Sequence, residues 1–209
     1  MDHLQQLIER YPTLAPIRND IMQAYTLLEE TFAAKGKLLI AGNGGSAADA
    51  EHITGELMKS FVRRRLPGAD FISRLNEICP EHAAHLGGAL QQGLPTISLT
   101  SHISLLTAFI NDVGMDTMYA QQVYGYGNSG DAFLAISTSG NSKNIYYAAI
   151  TAKAKNIKTI ALSGGTGGIL AQYADATIIV PEKETYKVQE LHLPIYHCLC
   201  LMLEEHFFP

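Results

Sequence analysis

Short apolar runs alternate with helical patterns along most of this chain, and this alternation restricts the possible folds more than any other feature. The runs are rich in Ile, Leu, Val, Ala and Thr, which is typical of buried strands. Strands that are separated by helices favour a parallel sheet with helices on both faces. The predicted strands span residues 37–41, 96–99, 132–136, 159–162 and 177–180, and the helices between them span 46–60, 102–111, 141–155 and 168–173. The fold class is therefore α/β, with a three-layer α/β/α, doubly wound and mostly parallel five-stranded sheet.

Helical segments flank this sheet at both ends of the chain, and one stretch interrupts it. Residues 1–34 show helical spacing of apolar residues that Pro12 and Pro16 divide into two helices, and a long final helix is predicted from 185 to about 205. Between residues 62 and 94, glycines and prolines mix with helical fragments over a length that exceeds an ordinary connection. We predict that 62–94 is an inserted lid or an oligomer arm within a single domain of residues 1–209.

Composition and charge exclude several classes of protein. The chain has 209 residues, 47% of them hydrophobic, which is enough for one sizeable core. Its net charge is -5 and its one basic run is Arg63-Arg64-Arg65, so we expect no binding of nucleic acid and predict that these arginines form a solvated turn or a subunit contact. No apolar run is long enough to cross a bilayer and no signal peptide is recognisable, so we expect a cytoplasmic protein without a membrane partner.

The three cysteines do not form a recognisable framework. Cys79, Cys198 and Cys200 are odd in number and lack the spacing of a zinc ribbon. The last two lie in an apolar helical stretch. We therefore expect reduced thiols that lie mostly in the core.

Two turns rich in glycine and serine each follow a predicted strand and precede a predicted helix. They are residues 42–46, GNGGS, and residues 137–142, STSGNS. A helix N-terminus has unpaired amide N–H groups and partial positive charge, and glycine lets the backbone approach an anion closely. Neither turn matches the Walker A loop or the dinucleotide fingerprint, so we predict a small phosphorylated metabolite. A plain strand-to-helix connection is the alternative for either turn taken alone.

Two pairs of polar residues on separate predicted helices form a second constellation. His52 and Glu56 are four residues apart and share one helix face, and Gln189 and His197, eight apart, share a face of the final helix. Nitrogen and carboxylate ligands in this mixture suit zinc, and a glutamate beside an imidazole suits proton transfer. The alternative is an exposed His52–Glu56 pair and a structural core histidine at position 197.

The two turns and the two polar pairs together resemble the sugar isomerase (SIS) domain superfamily. Within it they resemble the phosphoheptose isomerases, which interconvert sedoheptulose 7-phosphate and D-glycero-D-manno-heptose 7-phosphate. The resemblance extends from about the first helix to the C-terminus, and it implies a SIS domain that assembles as a homotetramer with sites between subunits. The apolar N-terminal helices are candidates for that subunit contact.

The resemblance also implies roles for individual residues. Zinc, one ion per subunit, would be held by His52, Glu56, Gln189 and His197. We assign Glu56 as the catalytic base of a cis-enediol mechanism and His197 as its acid/base partner. The sugar phosphate substrate would be bound by Asn43, Gly44, Gly45, Ser46, Glu56, Asn111, Asp112, Ser137, Thr138, Ser139, Ser142 and Gln189.

Two features depart from the family pattern. Family members usually carry an arginine four residues after the glutamate, where this chain has Ser60. The 62–94 segment is longer than the usual connection and includes His82 and His85, which have no assigned role. Isomerisation of another phosphosugar is therefore an alternative function. A non-enzymatic regulator that binds a phosphosugar or a replication initiator is another, but such relatives lack the glutamate and the final histidine that are present here.

Overall fold

Within residues 2–209, which the computed structural model describes, five parallel strands form one sheet in the order β2-β1-β3-β4-β5. The predicted α/β class is confirmed, and each predicted strand lies within two residues of its observed bounds. The order reverses between β1 and β3, which makes this the switch point of the sheet. The strands are β1 (Leu38–Ala41), β2 (Thr96–Ser98), β3 (Ala132–Ser137), β4 (Lys158–Gly164) and β5 (Ala176–Val180).

Helices cover both faces of this sheet. They are α1 (His3–Arg10), α2 (Arg18–Ala33), α3 (Gly45–Met58), α4 (Ala69–Ile78), α5 (Pro80–Ala89), α6 (Ile103–Asp112), α7 (Met118–Tyr126), α8 (Lys143–Ala154) and α9 (Thr185–Phe207). Pro12 and Pro16 separate α1 from α2, as predicted, and lie in a 3₁₀ segment, while Met1 lies outside the described residues. The predicted helix 168–173 is a 3₁₀ turn over Leu170–Tyr173. Helix α7 was missed, because its Tyr and Gly residues are weak helix formers.

Alternate residues of the strands point into two separate apolar layers. Leu38 and Ile40 of β1 pack with α1, α2, α3 and α9, while Leu39 and Ala41 pack with α7 and α8. A strand that is buried on both faces is typical of a parallel sheet between two helical layers. The N-terminal helices contribute Leu4 and other buried side chains to the first layer.

The inserted segment folds into a helical hairpin of α4 and α5. Its base is closed by Gln92, whose backbone N–H donates to the carbonyl oxygen of Arg65 at 2.8 Å and whose side chain donates to that of Leu66 at 2.6 Å. The two helices contact each other closely where Gly87 of α5 faces Ile72 of α4. At the far end, Ile78 is 80% exposed. The hairpin therefore projects from the domain and packs mainly on itself.

The prediction that the three arginines form a solvated turn or a subunit contact is wrong for Arg65. Its side chain is fully buried and its Nε lies 2.8 Å from Oε1 of Glu204. The guanidinium also donates to the carbonyl oxygens of Leu57 at 2.7 Å and Glu56 at 3.0 Å, which lie at the end of α3. Arg65 is buried because it satisfies these terminal carbonyls and is neutralised by a buried carboxylate.

Glu204 is held as a carboxylate by a set of donors. Burial alone raises the pKa of Glu204, but the backbone N–H groups of Phe61 and Val62 and the Arg65 guanidinium together hold that pKa below its usual value. These hydrogen bonds attach the loop between α3 and α4 to α9.

The cysteines lie largely in the core. Cys198 and Cys200 of α9 are buried free thiols, as expected, whereas Cys79 is partly exposed. No helix in residues 2–209 combines the length and apolar character that crossing a bilayer requires.

Candidate active site

The two glycine- and serine-rich turns lie side by side at the switch point. The first follows β1 and the second follows β3, which are neighbours in the sheet. Asn43 of the first turn and Asn144 at the start of α8 exchange two amide hydrogen bonds, of 2.9 and 3.0 Å. Ligands of open parallel sheets bind at the carboxyl ends of the strands at this point. The two turns therefore lie together at this edge of the sheet, and the link through Asn144 was not predicted from the sequence.

The first turn is shaped by two glycines. Gly44 has a φ of 56°, which favours glycine, and a Cβ at Gly42 would lie 2.3 Å from the carbonyl oxygen of Ser46. The carbonyl oxygen of Gly42 accepts a hydrogen bond from the buried Tyr119 hydroxyl at 2.9 Å. Within the described residues no side chain caps α3 at Gly44. Asn43, Gly44 and Gly45 are exposed and Ser46 is buried, so the turn presents mainly backbone to an anion.

The second turn is supported by the loop that follows β4. Gly140 has a φ of 66°, and a Cβ there would lie 1.9 Å from the carbonyl oxygen of Gly167. The Asn141 side chain accepts from the backbone N–H of Ile169 at 3.1 Å. The hydroxyl groups of Ser137 and Ser142 are 3.1 Å apart across the turn. Thr138 is half-buried and Ser139 is exposed, so hydroxyl groups and the start of α8 are available together.

Helices α3 and α9 bring the predicted polar pairs together. His52 Nε2 lies 3.3 Å from Glu56 Oε1, and the rings of His52 and His197 are 5.0 Å apart in an edge-to-face arrangement. Gln189 lies against the start of α3, because a Cβ at Gly45 would be 2.5 Å from its Nε2. The polar groups of α9 therefore extend from the first turn to the His52–Glu56 pair.

The charges around Glu56 and His197 suit proton transfer. Burial, and then the nearby His52, lower the pKa of His197, while Glu56 opposes this shift. His197 is therefore a neutral imidazole near pH 7. Its Nε2 is buried and has no hydrogen-bond partner within residues 2–209. Lys59 Nζ lies 3.2 Å from the other oxygen of Glu56, so this carboxylate lies between an imidazole and an ammonium group.

Asp49 and Tyr196 orient His52, and neither was predicted from the sequence. The Tyr196 hydroxyl lies 3.0 Å from Nδ1 of His52 and donates to Oδ1 of Asp49 at 3.3 Å. Burial raises the pKa of Asp49, although the Tyr196 hydrogen bond and His52 oppose this. Their spacing could have indicated part of this network, because Asp49 precedes His52 by three residues on one face of α3.

The donor set at this site fits a cation. When Tyr196 donates to Asp49, its oxygen accepts from the Nδ1–H of His52, and the Nε2 lone pair then faces the Glu56 carboxylate at 3.3 Å. In this tautomer, a proton or a cation between these two atoms would relieve the repulsion between their lone pairs. The unpartnered Nε2 of His197 adds a second imidazole ligand.

The ligand atoms of this site are nevertheless farther apart than in a closed metal site. They belong to His52, Glu56 and His197. Among residues 2–209, the one group of three or more His, Cys, Asp or Glu residues whose ligand atoms all lie within 4.8 Å of one another is Cys79, Glu81 and His82. That group lies on the α4–α5 hairpin, not on α3 and α9.

Asn111 and Asp112 are separate from the other predicted substrate residues within one chain. Asn111 donates to Asp112 at 2.9 Å, and both are exposed at the end of α6. No hydrogen bond among the described residues joins either of them to the two turns. The other predicted site residues lie on the two turns, α3 and α9.

Comparison with known proteins gives consistent matches over nearly the whole chain. The family model described as SIS domain matches residues 97–202. A phosphoheptose isomerase from Sulfurimonas denitrificans is 38% identical over 190 residues, covering 91% of this chain and 84% of that protein. One from Helicobacter pylori is 37% identical over 195 residues, covering 93% and 88%.

Solved structures agree with the sequence matches. The phosphoheptose isomerase GmhA from Neisseria gonorrhoeae superposes with a TM-score of 0.75 at 30% identity, covering 97% of this chain and 95% of that one. A phosphoheptose isomerase from Francisella tularensis gives 0.74 at 31% identity, covering 96% and 94%. The Vibrio vulnificus NanR protein, solved with ManNAc-6P, shares the fold alone, with a TM-score of 0.57 at 15% identity over 98% of this chain and 61% of NanR.

Proposed function

Because the chain belongs to the phosphoheptose isomerase family of SIS-domain proteins, we propose that it interconverts sedoheptulose 7-phosphate and D-glycero-D-manno-heptose 7-phosphate at the site between α3 and α9. The observation that carries the proposal is the position of Gln189, whose amide lies against Gly45 while His197 on the same helix faces His52. A phosphate at the turns would therefore leave the sugar chain directed along α9 toward Glu56. Phosphate binding would then orient the reacting carbons.

The phosphate would be bound by the two turns. The exposed backbone of Asn43, Gly44 and Gly45 supports one set of contacts, and the hydroxyl groups of the second turn support the other. Both helices begin without a side-chain cap within the described residues, which leaves their first amide N–H groups for an anion. Contributions from Ser46, Ser137, Thr138, Ser139 and Ser142 follow the family pattern.

Glu56 would remove the proton from the carbon next to the carbonyl and return it to the neighbouring carbon. Its side chain is only 13% exposed, and its two carboxylate oxygens lie 3.3 Å from His52 Nε2 and 3.2 Å from Lys59 Nζ. His197 would exchange protons with the substrate oxygens, because its lowered pKa keeps it neutral and able to both accept and donate. The intermediate between the two proton transfers is a cis-enediol.

A zinc ion would be bound by His52, Glu56, Gln189 and His197. When bound, zinc supplies Lewis-acid polarisation of the substrate oxygens and stabilises the enediolate. The lone pair of His52 that faces Glu56 and the unpartnered Nε2 of His197 support this assignment. Asp49 and Tyr196 would fix the His52 tautomer and ring orientation.

We further propose that the subunits assemble through α6 as a homotetramer. No residue of α6 is buried within the described chain, although the helix is rich in Ile, Leu and Phe. Ile103 is 72% exposed, and Val113 and Met115, just beyond the helix, are 67% and 64% exposed. Asn111 and Asp112 lie at the end of this surface, so an α6 interface would give them access to a site that their own chain does not provide.

The proposed reaction is tested by incubating purified protein with sedoheptulose 7-phosphate, with and without added zinc. Glu56→Gln and His197→Gln should each lower kcat by about 10²–10⁴-fold, because each removes one group of the proton-transfer pair. His206→Gln, at an exposed histidine of the same helix, is the matched control and should retain activity. Undiminished turnover in both active-site variants would exclude the assignment.

Isomerisation of another phosphosugar is a second candidate, favoured by the surroundings of Ser60. Its hydroxyl accepts from the backbone N–H of Arg65 at 3.1 Å, so it is used within the loop and does not replace the family's arginine. Lys59 supplies the cation beside Glu56 instead. A series of ketose and aldose phosphates of five to seven carbons would separate the two candidates by their kcat/KM values.

A further inference from the structure

A cluster of three metal-ligating side chains lies at the tip of the α4–α5 hairpin. Cys79 joins α4 to α5, and Glu81 and His82 lie in the first turn of α5. The Cys79 Sγ, a carboxylate oxygen of Glu81 and a ring nitrogen of His82 all lie within 4.8 Å of one another. No other such group of His, Cys, Asp or Glu occurs in the described part of the chain. The proposed function uses none of these three residues.

The backbone at the hairpin tip explains why these ligands converge. Pro80 occupies the first position of α5, which fixes where the helix begins. Cys79 precedes this helix as its N-cap residue, and the next two ligands follow within one turn, so their side chains leave the backbone in the same small region. The three ligand atoms lie close enough to converge on one ion after small side-chain rotations, and the cysteine is partly exposed while the other two are exposed. A cation can therefore reach them from solvent.

The chemistry of the donors selects the ion. A thiolate, an imidazole and a carboxylate are the three ligand types that zinc combines in proteins, whereas Mg²⁺ and Ca²⁺ prefer oxygen alone. Three protein ligands leave the fourth tetrahedral position to water.

We propose that Cys79, Glu81 and His82 bind a divalent cation of the zinc class at the tip of the hairpin. The site is separate from the one between α3 and α9 and does not depend on the proposed reaction. It fixes the junction between α4 and α5, because two of its ligands lie in α5 and the third lies between the helices. The site belongs to the inserted segment, which is longer than the connection usual in the family.

The Cys79 thiol is itself a specific reporter of this site. Cys198 and Cys200 are only 3% and 1% exposed. Burial raises the pKa of Cys198 to about 12 and that of Cys200 still further. In the folded full-length chain a thiol reagent such as Ellman's reagent should therefore modify one cysteine rapidly. Zn²⁺ should slow that reaction in proportion to the occupancy of the hairpin site.

The test is a Zn²⁺ titration of Cys79 reactivity in metal-free full-length protein. His82→Ala and Glu81→Gln should each weaken protection by more than about tenfold, as expected for loss of a direct ligand. His206→Ala removes an exposed histidine elsewhere and should leave protection unchanged. His52→Ala combined with His197→Ala should also leave it unchanged, because those residues belong to the other candidate site.

Substitution with Co²⁺ gives a second readout that does not depend on enzyme activity. A thiolate-to-cobalt charge-transfer absorption should appear in wild type and disappear in Cys79→Ser. Three results would overturn the proposal. They are Cys79 reactivity that Zn²⁺ does not change, protection that is equal in wild type and His82→Ala, and a charge-transfer band that persists in Cys79→Ser.

Discussion

At the scale of single residues, two histidines of α9 are held neutral in different surroundings. His192 is fully buried, and its Nε2 lies 3.3 Å from the carbonyl oxygen of Ser163. Burial lowers the pKa of His192 to about 4. His197 is shifted in the same direction but faces His52 and Glu56 at the site. One histidine therefore supports the fold, and the other is available for chemistry.

Stability should depend on pH through His192. Its pKa is lowered from 6.5 to about 4 on folding, so the unfolded chain binds the proton first as the pH falls. The stabilisation is complete above pH 6.5 and is lost on acidification toward pH 4, by about 3 kcal/mol in the free energy of unfolding. Urea unfolding of wild type and His192→Gln at pH 7 and pH 4.5 measures this. Equal pH dependence in the two proteins would contradict it.

Spacing along a helix predicts which candidate residues lie together, but it does not predict which charges are buried. His52 with Glu56, and Gln189 with His197, follow from residues that share a helix face. Arg65 was misjudged, because a run of three arginines gives no local sign that one is buried. Its partner Glu204 is 139 residues away in the chain. Only the packing of α9 against the end of α3 brings the two charges together.

At the scale of elements, each of the two glycine- and serine-rich turns is fixed by a neighbouring segment. The first is linked to α8 through Asn144 and to α7 through Tyr119. The second contacts the loop after β4 at Gly140 and Asn141. The strand-to-helix turns were predictable because apolar runs end at glycine and serine. The linking elements were not, because α7 has weak helix formers and the β4 loop contacts the turn only through the fold.

A matched pair of glycine substitutions separates contact from backbone strain. Gly165→Ala has no atom within 4 Å of the new Cβ and meets only the cost of its φ of 61°, about 1–2 kcal/mol. Gly140→Ala has a similar φ but also places a Cβ 1.9 Å from the Gly167 oxygen. Gly140→Ala should therefore lower the free energy of unfolding more than Gly165→Ala does, and it should also raise the KM for the sugar phosphate. Equal losses in urea unfolding would show that the turn does not depend on this contact.

At the scale of the whole molecule, the α/β sheet with its switch point was predictable from the alternation of strands and helices. The surface of α6 was not, because an apolar helix read from sequence is expected to be buried. Its exposure, with Ile103 72% exposed, supports an interface between copies of the chain. The N-terminal helices, which the sequence offered as the subunit contact, bury Leu4 and Leu7 in the core of their own chain, and their part in assembly stays a prediction.

Assembly should therefore depend on α6. Ile103→Asp introduces a charge into the proposed interface and should lower the mass measured by light scattering from a tetramer to a smaller species. Ile78→Asp, at an 80% exposed residue on the hairpin, is the matched control and should leave the mass unchanged. A mass that falls only in Ile78→Asp would assign the contact to the hairpin instead.

The central claim is that Glu56 transfers a proton at a site that the two turns and α9 form together. The most direct measurement follows sedoheptulose 7-phosphate by NMR in D₂O with wild type, Glu56→Gln and the His206→Gln control. Wild type and the control should form D-glycero-D-manno-heptose 7-phosphate and incorporate solvent deuterium next to the carbonyl, and Glu56→Gln should do neither at a comparable rate. Failure of wild type to convert the sugar phosphate, or conversion by Glu56→Gln at the wild-type rate, would contradict the claim.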